Sequence, residues 1–126
     1  NERASNETTK SVPCLTSEAF HIHPKLKISV DPSTGSGQVK EEVVPGNIGV
    51  LPGCTREIHT HEADGIIHIE AAVDRGYTFA DFMSVWGKPL LREGYTLKVT
   101  VDGKETADLY FVLKDGQQIV LSYTKQ

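Results

Sequence analysis

Residues 20–30 read Phe-His-Ile-His-Pro-Lys-Leu-Lys-Ile-Ser-Val, and their alternation decides the fold class. Leu26, Ile28 and Val30 fall on one face and Lys25, Lys27 and Ser29 on the other, a period of two that predicts a half-buried strand. Pro24 has no N–H to give to a ladder, so it marks a bulge or an edge position in that strand. Downstream, Val39 to Val44 predicts a second short strand closed by Pro45-Gly46, and Ile48 to Leu51 extends it as far as Pro52-Gly53. Asp31 to Gly37 is a turn by composition, and Ile66 to Ala72 is a third, compact apolar strand. In the last third, Leu97, Val99 and Val101 alternate up to the turn signal Asp102-Gly103. Ala107 to Leu113 returns, Asp115-Gly116 turns again, and Ile119, Leu121 and Tyr123 alternate towards the end, which predicts an antiparallel meander.

One helix interrupts the strands. Thr78-Phe79-Ala80-Asp81 forms a capping box with Asp in place of Glu at its last position. Phe79, Phe82 and Trp86 then recur at spacings of three and four, which makes one apolar helical face and a core plug. Gly87 and Pro89 stop it. The expected architecture is mainly β: an antiparallel β-sandwich or small barrel with one short helix over about residues 79–86.

The chain has 126 residues, 38% hydrophobic and 24% charged, enough for one core and not for two. No apolar run is long enough to span a membrane. The net charge of −4, with no cluster of Lys and Arg, excludes a nucleic-acid partner. No Gly-x-Gly-x-x-Gly follows a strand, which excludes a dinucleotide site. Residues 1–12 read as a flexible N-terminal tether, rich in Asn, Glu, Thr and Ser, ahead of a single β-rich metal-binding domain over 13–126. Such a start suits a mature exported protein whose signal has been removed. Asn6-Glu7-Thr8 also matches the glycosylation triplet.

Cys14 and Cys54 are the only cysteines, and neither lies in a Cys-x-x-Cys pair. Two free buried thiols in a cytosolic protein are one reading; a disulfide in an oxidising compartment is the other and is favoured. In the chain-entropy model a bridge across this span is worth about 4 kcal/mol, a large share of a small domain's stability.

The chemistry lies in the histidines. Of five, four form two His-x-His pairs, His21/His23 and His59/His61, where composition alone gives about 0.2 such pairs. Residues i and i+2 of a strand project from one face, so each pair presents two imidazoles to one ion. The expectation is that all four meet at one sheet end. If Asp64-Gly65 makes a tight turn, His68 returns beside His59/His61 as a further ligand or close neighbour. Glu62, Asp64 and Glu70 flank that turn and can orient imidazole N–H groups.

Imidazole-rich sites suit zinc and copper, and one ion of either is expected, with copper slightly preferred. A blue-copper centre is disfavoured, because Met83 lies inside the helix and Cys54 is assigned to the bridge. Similarity to three His-x-His enzyme families is superficial. The cupin Glu is missing, Ala63 stands where metallo-β-lactamases need Asp, and the barrel of PHP-type phosphoesterases needs a far longer chain.

The run from Ile58 to Glu70, Ile-His-Thr-His-Glu-Ala-Asp-Gly-Ile-Ile-His-Ile-Glu, resembles a pattern in small uncharacterised exported prokaryotic proteins. There it reads His-Thr-His-Asp/Glu-x-x-Gly-x-Ile-His-Ile/Val-Glu. It is followed by aromatic-Thr-x-x-x-Phe-x-x-Trp-Gly, which Tyr77 to Gly87 resembles with one more residue between Phe82 and Trp86. The upstream His21/His23 strand and Val44 to Gly49 also fit, so the similarity covers residues 20 to about 123. It implies an extracytoplasmic setting, periplasmic or at the cell surface, often beside a lipid anchor or membrane segment, and hence a membrane-associated partner protein.

Three functions follow from the residues. The chain is a module that captures, buffers or hands on copper or zinc, a metalloenzyme with Glu62 or Glu70 as general base, or an interaction domain with structural histidines. No Ser or Cys nucleophile is paired with a base, and nothing names a substrate, so the binding module leads over the enzyme.

Overall fold

The computed structural model describes residues 12–32 and 39–126. The glycosylation triplet, the tether up to residue 11 and most of the Asp31–Gly37 turn lie outside them. Val12, assigned to the tether, is instead fully buried, and its carbonyl accepts from Arg56 Nη1 at 2.6 Å. An apolar side chain with a place in the core is ordered by that burial.

In chain order the strands are β1 (Phe20–Ile22), β2 (Lys25–Asp31), β3 (Lys40–Glu42), β4 (Val50–Leu51), β5 (Cys54–Thr55), β6 (Ile58–His59) and β7 (His68–Ala71). Helix α1 (Phe79–Trp86) follows, then β8 (Tyr95–Val101), β9 (Lys104–Thr106) and β10 (Gln118–Lys125). They form a five-stranded sheet in the order β3-β2-β10-β8-β9, a three-stranded sheet β1-β7-β6, and the small hairpin β4-β5. The described chain is mainly β with one helix and no closed barrel, a small β-sandwich-like arrangement.

The stretch 20–30 is not one strand. At Pro24 the chain leaves the three-stranded sheet for the five-stranded one, a corner of the kind by which strands switch sheets. The Pro24 carbonyl accepts from Ile67 N–H at 2.8 Å, beside β7, while Lys25 N–H donates to Gln117 O at 2.8 Å, beside β10. Leu26, Ile28 and Val30 are buried as the alternation requires. Gly65 adopts φ +81°, and a Cβ there would overlap the Leu26 carbonyl oxygen, so this close approach requires glycine.

The meander is also revised. Asp102-Gly103 does turn β8 back, but the returning strand is β9, at the outer edge of the sheet. Residues 107–113 leave the ladder and pack against the start of α1. Phe79 N–H donates to Phe111 O and Ala80 N–H to Leu109 O, both at 3.0 Å, which satisfies donors that a helix's first turn leaves unpaired. Strand β10 then pairs antiparallel with the opposite edge of β8 and parallel with β2, from Gln118↔Lys25 to Thr124↔Asp31.

Helix α1 has the expected bounds. Thr78 Oγ1 accepts from Asp81 N–H at 3.2 Å and Asp81 Oδ2 accepts from Thr78 N–H at 2.8 Å, a full capping box. Phe79 and Phe82 are fully buried in the core with Ile58 and Ile69 from the three-stranded sheet and Ile67 just before β7. That apolar face of the small sheet leaves its other face for the polar residues. No described helix is long and apolar enough to cross a membrane. Cys14 and Cys54 form a disulfide, Cα–Cα 5.2 Å, closing the expected span.

Candidate metal centre

The three-stranded sheet carries His21, His59 and His68, and His23 and His61 lie just past the ends of β1 and β6. Register places His21 opposite Glu70 on one side of β7 and His59 opposite His68 on the other. Alternation then puts His21 and His23, His68 and Glu70, and His59 and His61 on a common face, while Ile22, Ile58, Ile67 and Ile69 take the reverse. The two His-x-His pairs are therefore not on neighbouring strands. The middle strand β7 separates them and contributes His68 and Glu70 between them.

The rings touch in sequence. His21–His23 centroids are 4.4 Å apart, His23–His68 4.7 Å, His68–His61 4.3 Å and His61–His59 4.7 Å. Two sets of donor atoms result, His21/His23/His68 and His59/His61/Glu70, each with its atoms within 4.8 Å of one another. The expected four-histidine set is thus divided, with His68 joining the first pair and Glu70 the second.

Polar contacts orient the rings of His59 and His21 and fix the backbone of His23. His59 Nδ1 donates to the Arg56 carbonyl at 2.7 Å, which leaves the Nε2 lone pair facing inwards. That Nε2 lies 3.2 Å from His61 Nε2 and 3.4 Å from Glu70 Oε1. Electron-rich atoms facing one another at this range call for a cation or a proton between them. Glu70 Oε2 lies 2.8 Å from His21 Nε2. His23 is placed by the Asp115-Gly116 turn: its N–H donates to Asp115 Oδ1 at 2.8 Å, and its carbonyl accepts from Gly116 N–H at 3.3 Å.

Thr60, between His59 and His61, points the other way and is fully buried. Its hydroxyl donates to Pro45 O at 2.8 Å and accepts from Ile48 N–H at 3.0 Å, which ties the Val44–Gly49 segment to the histidine strand. A Cβ on Gly46 would overlap the His61 carbonyl oxygen, so glycine permits that approach.

Electrostatics keep the inner rings neutral. Burial pushes the His68 imidazolium down to about 4, helped by the neighbouring His61, His23 and His59. Burial also lowers His59, opposed by its Arg56 carbonyl and by Glu70. Neutral imidazole is the ligating form. His68 Nδ1 is buried with no hydrogen-bond partner, a nitrogen lone pair or N–H whose desolvation nothing in the protein offsets. The donor set, five imidazoles and one carboxylate, consists of groups that could hold a metal ion.

Of the three acids expected to orient the imidazoles, only Glu70 does so; it is buried against His21 and His59. Glu62 is exposed, and Asp64 accepts from Ile66 N–H at 3.0 Å and so shapes the turn. Sequence reasoning missed Glu57. It is 1% exposed and accepts from Tyr77 Oη at 2.6 Å and Arg75 Nε at 2.8 Å. Its backbone bonds to Pro13 and Glu70 stitch the N-terminal segment to the histidine sheet. The 20-residue gap between Glu57 and Tyr77 offers no periodic signal for this pairing. No protein-family model, curated protein or solved structure matches the chain.

Proposed function

We propose that the chain is an extracytoplasmic metal-binding module that captures copper or zinc on its His-x-His pairs and hands the ion on to a membrane-associated partner. The observation that carries this reading is the convergence of five imidazoles and a buried carboxylate on one sheet face. Imidazole nitrogen suits both ions, and the Irving–Williams order favours Cu(II) over Zn(II) at equal supply. The disulfide supports an oxidising compartment, and the resemblance to exported proteins agrees with it.

The carrier reading is preferred to the enzyme because neither acid suits a general base. Glu62 is exposed and Glu70 is engaged with two imidazoles. Exposed His61 gives a delivered ion a route in and out. Strand pairing, the α1 plug and the disulfide hold the core without the metal. Protein purified without a His-tag should therefore retain Cu(II) or Zn(II) stoichiometrically through desalting. Chelation should strip the ion while circular dichroism keeps its folded form. Retention of no metal, or unfolding on chelation, would contradict the carrier reading.

A further inference from the structure

Glu70 stands between the two donor sets and gives one oxygen to each. Oε1 faces His59 Nε2 at 3.4 Å and Oε2 faces His21 Nε2 at 2.8 Å. We propose that the site takes two divalent cations of the zinc or copper class, bridged by the Glu70 carboxylate, one on His21, His23 and His68 and the other on His59 and His61. This rests on the metal-binding reading above and adds the number of ions and the role of Glu70.

The donor count favours it. A tetrahedral ion takes four ligands, and five imidazole nitrogens with two carboxylate oxygens exceed what one such ion can use. The donor atoms also fall into two groups of three, His21/His23/His68 and His59/His61/Glu70, and the Glu70 carboxylate faces both His59 and His21. Paired-ion sites place their metals about 3.5–4 Å apart, a span that one carboxylate can bridge. Glu70 is 6% exposed, and a buried carboxylate is stable there only if its charge is matched.

The two positions are unequal. His21, His23, His68 and Oε2 make four donors, a closed set. His59, His61 and Oε1 make three, leaving one position open beside the exposed His61. The open coordination position lets an incoming ligand bind the second ion directly, so it is the one to be exchanged.

Native mass spectrometry of untagged protein titrated with Zn(II) alone tests this. Wild type should hold two ions. His61→Ala should hold one, and so should the double variant His21→Ala with His23→Ala. His61 and His21 are exposed and His23 is half-buried, all outside the hydrophobic core, so these changes leave the core intact, and circular dichroism checks the fold. Glu70→Gln should weaken the second ion by about tenfold or more, since even indirect partners of ligands are worth about 10–100-fold. One ion in wild type, lost in both variants, would overturn the two-ion site and leave metal binding standing. No ion in wild type would overturn both, and two ions unaffected by either variant would place the metals elsewhere.

Discussion

His59 and His68 face each other across the β6–β7 ladder, their rings stacked 5.7 Å apart and 10° from parallel. Stacked, desolvated imidazoles cannot both carry charge, and this relationship ties metal binding, pH and stability together.

The pH dependence has a definite sign. The folded pKa of His68, about 4, lies below its ordinary 6.5, and His59 shifts the same way. Between those values the unfolded chain binds more protons, so stability rises with pH there. Metal-free protein should lose stability as pH falls from about 6.5 to about 4 and show little change from these groups above that window. Urea denaturation at pH 7 and pH 4.5 measures it; equal midpoints would contradict the neutral cluster.

His68→Leu should separate stability from function. It removes the buried, partnerless Nδ1, whose desolvation costs about 1–3 kcal/mol, and keeps an apolar body in place. The metal-free variant should melt no lower than wild type, with a weaker pH dependence, and retain less metal. A clearly lower melting temperature would show that His68 supports the fold.

Thr60→Val should cost about 1–3 kcal/mol, because Ile48 N–H and Pro45 C=O would lose their shared hydroxyl in a buried position. Thr60→Ser should restore most of it. Chemical denaturation of the pair checks the point, and equal stability of both variants would contradict it.

Reducing the Cys14–Cys54 bridge, which spans 40 residues, should cost about 4 kcal/mol in the loop-entropy model. Unfolding curves with and without reductant measure this. Because Leu15, Glu57 and the Arg56 carbonyl lie beside the bridge, reduction should also loosen His59 and lower metal retention.

Local signals were legible in the sequence and long-range ones were not. The capping box at Thr78 and Asp81 lies within one helical turn, and the hairpin that returns His68 to His59 needs only the Asp64-Gly65 turn. The sheet change at Pro24 looked like a bulge, because a proline breaks a ladder in either case. The parallel pairing of β10 with β2 joins ends of the chain that carry no mutual pattern. Glu62, Asp64 and Glu70 read alike as acids near histidines. Only the register opposite His21 singles out Glu70.

X-ray absorption at the metal edge, on untagged protein loaded with Cu(II) or Zn(II), tests the central claim most directly. The imidazole face predicts first-shell nitrogen at about 2.0–2.1 Å for zinc, with the outer-shell scattering of at least two histidine rings per ion. A shell of oxygen alone, without imidazole scattering, would contradict it.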